Sequence, residues 1–211
     1  EAVTIPVISD ADTGFGEPIV VERTVQSYEA AGLAGLHLED QQLPKRCGHL
    51  SGKTLVSTDE MVAKIKAAVA ARRDSAFVII ARTDARSVES LEGALERATA
   101  YVEAGADMVF PEALQTAEEF AEFAAGATVP LMANMTEFGQ SPLLTADELG
   151  TLGYAAVLFP VSLLRVAMRA VQETLSEIAE QGTQRRLIDR MLTRGELYDL
   201  IDYKEYNQRD Q

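Results

Sequence analysis

The feature that most constrains this chain is a regular alternation of short apolar runs with longer stretches of helical period. "TIPVIS" (4–9) reads as a strand and "PIVVERTVQSYEAAG" (18–32) as a helix stopped by Gly32. "LAGLHLE" (33–39), "FVIIAR" (77–82), "ADMVFPEA" (106–113), "VPLMANM" (129–135) and "YAAVLFPVS" (154–162) read as further strands. Helices are expected between them over 58–74, 87–105, 116–126 and 145–153, and a last long helix over about 163–181 leads into a polar helical tail. Apolar strands separated by helices imply a parallel sheet covered on both faces. Six strands suit a doubly wound open sheet, or a barrel whose full complement is eight.

The strand ends decide between these. Ionisable or polar residues stand at the C-terminal end of nearly every run: Asp10 and Asp12, Glu39 and Asp40, Arg82 and Asp84, Glu112, Asn134 and Ser162. In a barrel all strand C-termini converge on one mouth, and the site draws on several strands. An open sheet gathers its site at a switch point from fewer strands. "GFGEP" (14–18) resembles a dinucleotide-binding fingerprint only superficially. The expectation is therefore a (β/α)8 TIM-type barrel with its first two strands lacking in this chain. It would form one domain over 1–211, with a C-terminal helical tail over about 163–211 and no linker or low-complexity break. The chain opens on Glu1 with a strand close behind, so further amino-terminal sequence is expected in the natural protein.

Composition narrows the partners. The formal charge is −14, which repels nucleic acid and anionic membranes at long range. A locally basic pocket for a small anionic substrate remains compatible with it. No apolar run approaches the ~20 residues needed to span a bilayer, and "EAVTIPV" is no secretory signal. The single cysteine has no partner for an internal disulfide, so a cytoplasmic setting is expected.

Several residues are candidates for chemistry. Asp10 and Asp12 offer hard oxygen ligands suited to Mg²⁺, with Mn²⁺ as the alternative, or else form a turn with two solvated acids. Glu39 and Glu112 strengthen the metal reading, because acids crowded into one mouth need a cation. Zinc is disfavoured by two histidines and one cysteine. Arg82, Arg165, Lys45 and Arg46 are candidates to hold substrate carboxylates, against the plainer reading of surface salt bridges. Cys47 lies in "LPKRCGHLSGK" (43–53), a glycine-punctuated basic loop. Its basic neighbours would lower the thiol's pKa and make it a usable acid or nucleophile, unless it is an incidental loop thiol. His49 is expected to tune or position, and His37, inside a strand, to be structural.

"DADTGFG", "HLEDQ", "KRCGH", "ARTDA", "ADMVFPEA" and "ANMTEFG", in this order, resemble the isocitrate lyase / phosphoenolpyruvate mutase superfamily. The likeness runs from residue 6 to about residue 203, and "KRCGH" resembles its carbon–carbon lyases rather than its phosphonate enzymes. "NMTEFG" resembles the methylisocitrate branch. The resemblance implies a Mg²⁺-dependent retro-aldol cleavage of the tricarboxylate 2-methylisocitrate to pyruvate and succinate, in a homotetramer with exchanged C-terminal helices. It implies metal ligation by Asp10 and Asp12. It implies substrate contact by Cys47, Gly48, Arg82, Glu112, Asn134, Met135, Thr136, Arg165 and Arg194. Cys47 would be the general acid on a closing loop, with Arg82, Glu112 and His49 in the catalytic set. Family members carry about two more strands ahead of "ISDAD", with a serine–glycine substrate loop and a further metal-shell aspartate. The rival expectations are a lyase for isocitrate or 2,3-dimethylmalate, and a truncated, non-catalytic interaction subunit.

Overall fold

The computed structural model of the chain describes residues 3–209. It divides into two compact units, Glu1–Pro160 and Val161–Gln211. In the first, strands and helices alternate: β1 (Ile8–Asp10), α1 (Pro18–Ala30), β2 (Gly35–Glu39), α2 (Thr58–Ala71), β3 (Val78–Thr83), α3 (Leu91–Glu103), β4 (Met108–Pro111), α4 (Ala117–Gly126), β5 (Leu131–Asn134), α5 (Ala146–Leu152) and β6 (Tyr154–Leu158).

All neighbouring strands pair in parallel, in the spatial order β1-β2-β3-β4-β5-β6. A doubly wound sheet reverses its strand order at a switch point. This one never does, and its six strands form a curled half-barrel. The helices lie against one face only. Val21 and Val25 of α1, Met61 and Ile65 of α2 and Tyr101 of α3 pack on Leu36, Leu38, Ile79 and Ala81. Ala94 and Ala98 of α3, Phe120 and Phe123 of α4 and Leu149 of α5 cover Val109, Leu131 and Ala133. The opposite face carries its own small core of Ile80, Phe110 and Met132, flanked by Met108, Ala156 and Leu158. Alternate residues of each strand thus serve two different interiors.

Local signals place the helices. Ser57 and Glu60 form a capping box at the start of α2, and Thr145 and Glu148 do the same for α5. Gly153 ends α5 with φ 102°, a conformation that costs glycine little. Gly35 answers a different need. A Cβ there would lie 2.6 Å from the Val78 carbonyl oxygen, so only glycine lets β2 close on β3.

Most strands are shorter than the sequence predicts, two of them for a clear local reason. The run 4–9 becomes a strand only at Ile8, because Pro6 has no N–H to donate to a ladder. The run 154–162 ends at Leu158. Val161 takes φ 64° as the N-cap of α6 (Ser162–Gln181), so Ser162 opens a helix instead of ending a strand.

In the second unit, α6 is followed by a 3₁₀ segment (Arg185–Arg190), α7 (Arg194–Leu200) and α8 (Tyr203–Arg209). No residue of these four helical elements is buried. Leu164, Met168, Val171, Leu175 and Ile178 repeat along α6 at alternating spacings of four and three, and all are exposed. Among the described residues, no helix is long and apolar enough to cross a membrane.

Replacing Gly35 with Ala forces a methyl against a backbone carbonyl that cannot swing aside. Gly35→Ala is expected to lower the unfolding free energy by about 1–3 kcal/mol, read as a reduced urea midpoint at unchanged m-value.

Candidate active site

The two-residue period of the strands selects the site. The residues that share the inner face with Ile80, Phe110 and Met132 are His37 and Glu39 on β2, Arg82 on β3, Glu112 just past β4 and Asn134 on β5. The register sets Glu39 beside Arg82 across the β2–β3 ladder. Every one of these side chains is buried.

Arg82 is the centre. Its Nη1 lies 3.3 Å from Glu39 Oε2, and its Nη2 lies 3.3 Å from Glu112 Oε2. Its Nε and Nη2 donate to the two oxygens of Asp84 at 3.1 and 3.2 Å. The guanidinium carbon sits 5.2 Å from the centre of the Phe110 ring, giving the cation an aromatic face as well. Burial alone would favour loss of the Arg82 proton, but Glu112, Asp84 and Glu39 outweigh it and raise its pKa. For Glu112, burial pushes the carboxyl up. Arg82, His49 and Asn134 together overcome that and hold it below the usual carboxylate range. Asn134 donates Nδ2 to both Glu112 oxygens at 3.1 and 3.2 Å.

A second tier orders the first. Asp40 is fully buried and accepts from Thr83 Oγ1, Tyr101 Oη and the Asp84 amide at 2.8, 2.8 and 2.9 Å. Arg97 lies 3.6 Å from it. Asp84, which grips Arg82, is therefore itself held by its backbone.

The loop that carries Cys47 spans residues 40–57, between β2 and α2. It is built rather than slack. Gln41 pairs with Leu55 in an antiparallel bridge, and the Gln41 side chain exchanges two 2.9 Å bonds with the Arg46 backbone. Gly48 is buried so deeply that a Cβ would lie 2.6 Å from both Arg82 Nη2 and Glu112 Cδ. His49 Nε2 lies 2.7 Å from Glu112 Oε1, and its Nδ1 accepts the Gln140 amide at 2.9 Å. A ring nitrogen that accepts an N–H carries no proton, so the His49 proton is on Nε2, facing Glu112. Lys45 is also committed elsewhere, to Asp12 Oδ1 at 2.5 Å and Glu39 Oε1 at 3.5 Å. The basic setting expected for the thiol is thus largely spent on neighbouring acids. Cys47 itself is exposed and unpaired.

At the end of β1, Asp10 Oδ1 accepts the Asp12 amide at 2.7 Å, and Asp12 takes φ 48°. Both side chains remain about half exposed. His37 is buried edge-on to Phe110 with Nδ1 3.6 Å from Asp10, and burial lowers its pKa. Beside them stands Glu39, fully buried, with no hydrogen bond to either carboxylate oxygen. Burial, only partly offset by Arg82, pushes its carboxyl up to about 7. The donors here are hard oxygens, and buried carboxylate oxygens without hydrogen bonds are what a cation would satisfy. Among the described residues, no three His, Cys, Asp or Glu side chains form a closed cage. Mg²⁺ is typically held by one or two carboxylates plus water, so the residues fit such an ion and not a structural zinc.

Met135, expected beside the substrate, has its side chain in the outer core. The strand period turns its side chain outward, into the core with Leu131, Ala133 and Leu149, where its sulfur accepts the Leu144 amide at 3.3 Å. Thr136 is buried, just beyond the end of β5. Arg165 lies in the first turn of α6 and Arg194 opens α7, both in the second unit. Lys53 is the residue that sequence reasoning passes over. In "SGKTL" it reads as a surface lysine, yet its side chain is 1% exposed. Gln140 is equally unmarked, and meets His49 only through the fold.

Known proteins share this arrangement. The family model described as phosphoenolpyruvate phosphomutase matches residues 1–179. A 2-methylisocitrate lyase of Aeropyrum pernix is 56% identical over 208 residues, covering 99% of this chain and 67% of the relative. The crystal structure of 2,3-dimethylmalate lyase, described as a PEP mutase/isocitrate lyase superfamily member, superposes with a TM-score of 0.89 at 38% identity, covering 97% of this chain and 68% of that one. Phosphonopyruvate hydrolase in complex with oxalate and Mg²⁺ superposes with a TM-score of 0.85 at 33% identity, covering 98% and 72%. With its parallel strands in sequential order, its strand-end carboxylates and its family match over most of its length, this chain belongs to the phosphoenolpyruvate mutase/isocitrate lyase superfamily.

Proposed function

We propose that this chain is a carbon–carbon lyase that cleaves 2-methylisocitrate to pyruvate and succinate. The observation that carries the reading is the docking of the cysteine loop on the mouth, with Gly48 against Arg82 and Glu112. It sets the only thiol one residue from the buried charge cluster. The 56% identity to a 2-methylisocitrate lyase supports this substrate over 2,3-dimethylmalate and isocitrate.

In this reading Asp10 and Asp12 would hold Mg²⁺, or Mn²⁺, which would supply Lewis-acid chemistry for an oxygen-rich substrate. Arg82, Arg165 and Arg194 bind carboxylates, and Asn134, Met135, Thr136 and Gly48 line the substrate. A base in the mouth takes the hydroxyl proton, the oxygen becomes the carbonyl of pyruvate as the carbon–carbon bond breaks, and the electron pair of that bond stays on the succinate half. Cys47 donates a proton to that carbon. Glu112 and His49 fix the loop in place, and its closure excludes water.

The reading includes a closed (β/α)8 barrel, in which two further strands pair the free sides of β1 and β6. It also includes a cytoplasmic homotetramer with exchanged C-terminal helices. The support is the exposed stripe of α6, whose alternating spacing of four and three is that of a helix-to-helix seam.

Three measurements test these points. Pyruvate release from 2-methylisocitrate is expected to stop with EDTA and return with Mg²⁺, and to exceed release or cleavage with isocitrate and 2,3-dimethylmalate. Cys47→Ser is expected to lower kcat by about 10²–10⁴-fold while substrate binding by calorimetry persists; normal turnover would remove the thiol from its role as acid. In sedimentation, Leu175→Glu is expected to convert tetramers into smaller species. A monomeric parent chain would refute the assembly.

A further inference from the structure

Lys53 has no part in the chemistry above, yet it is one of the most deeply placed charges in the chain. Its ammonium donates to the Gly48 carbonyl oxygen and lies 3.2 Å from Asp84 Oδ1. Gly48 follows Cys47 directly, and Asp84 is the fully buried acid that holds Arg82 by two hydrogen bonds. One buried cation therefore touches both the backbone of the thiol loop and the group that aims the central arginine. The second fastening of the loop, His49 between Glu112 and Gln140, lies on the other side of Gly48 from Cys47. Without Lys53 the Gly48 carbonyl would lose its buried donor, and the thiol-bearing part of the loop would lose its link to the Asp84 carboxylate.

We propose that Lys53 is a positioning residue that couples the placement of Cys47 to the orientation of Arg82. This rests on the lyase reading for its effect on turnover, but not for its effect on the loop. It acts through geometry. An ammonium offers three donors from a single point, enough to bond a carbonyl and a carboxylate together. In Lys53→Met, Asp84 keeps Arg82 as a counter-charge, so the buried acid is not orphaned and the loss falls on the loop.

The single cysteine makes the loop directly observable. The rate at which a disulfide reagent such as dithiobis(nitrobenzoate) titrates Cys47 reports loop placement with no background from other thiols. Lys53→Met is expected to change that rate several-fold while Lys66→Met, at an exposed position, leaves it unchanged. Its kcat is expected to fall about 100-fold, the scale of a one-ångström misplacement, with a smaller change in KM. Lys53→Arg, which retains the charge with a different reach, is expected to recover part of the parental thiol rate. If Lys53→Met lowers only the melting temperature and leaves the thiol rate and kcat at parental values, the residue is merely structural and the proposal is overturned. A changed thiol rate with unaltered kcat in an active enzyme overturns the coupling to catalysis. If the parental chain turns over none of the three acids, the lyase reading has failed, and the thiol rates still decide whether Lys53 places the loop. Should Lys53→Met not fold, acetic anhydride footprinting of the parental chain replaces it: Lys53 is expected to resist acetylation while Lys66 reacts, and equal labelling overturns the proposal.

Discussion

A guanidinium can be buried at the end of a strand only if carboxylates surround it, and Arg82 meets that requirement three times over. Glu39, Asp84 and Glu112 each come from a different position along the sheet, so the strands bearing them must be in register. Taking Arg82 away would leave buried carboxylates uncompensated, which costs far more than a surface ion pair is worth. The acids of the mouth still outnumber this cation, with Glu39 short of hydrogen bonds and shifted toward neutrality. A cation at the mouth and a basic loop above it answer the same imbalance from two sides.

The loop answers it with unusual economy. Lys45 reaches the acids of β1 and β2, Gly48 gives up a side chain to lie on Arg82 and Glu112, and His49 turns its one proton toward Glu112. Gly139 must also lack a side chain, since a Cβ there would lie 2.6 Å from His49 Nδ1. The loop after β5 and the loop after β2 therefore fit each other across a long stretch of sequence. Neither can move far without breaking contacts of the other.

Much of this was legible in the amino-acid order. The strands and helices follow from period and caps, and the polar strand ends pointed to Arg82, Glu112 and Asn134, because a charge ending an apolar run must be paired or at a mouth. What could not be read was which partners meet. The Nδ1 contact of His49 with Gln140 joins residues far apart in the chain, and no local pattern announces it. Lys53 sits among small polar residues and carries no burial signal, since its environment is made by Gly48 and Asp84. The Met135 side chain shows a simpler rule: it follows Asn134 by one residue, and on a strand one residue is the difference between the mouth and the outer core.

That last point reaches beyond Met135. On β3, Ile80 and Arg82 face inward while Ile79 and Ala81 face the helices. Removing a single residue from the middle of β3 would exchange the two sets, sending the guanidinium among Leu36, Met61 and Ile65 and leaving Thr83 in its place beside Glu112. No neighbouring side chain could repair this, because every later position on the strand would be inverted as well. Such a sheet tolerates changes of letter far better than changes of length. Over evolutionary time, gains and losses of residues should therefore collect in the loops and helices and spare the strands.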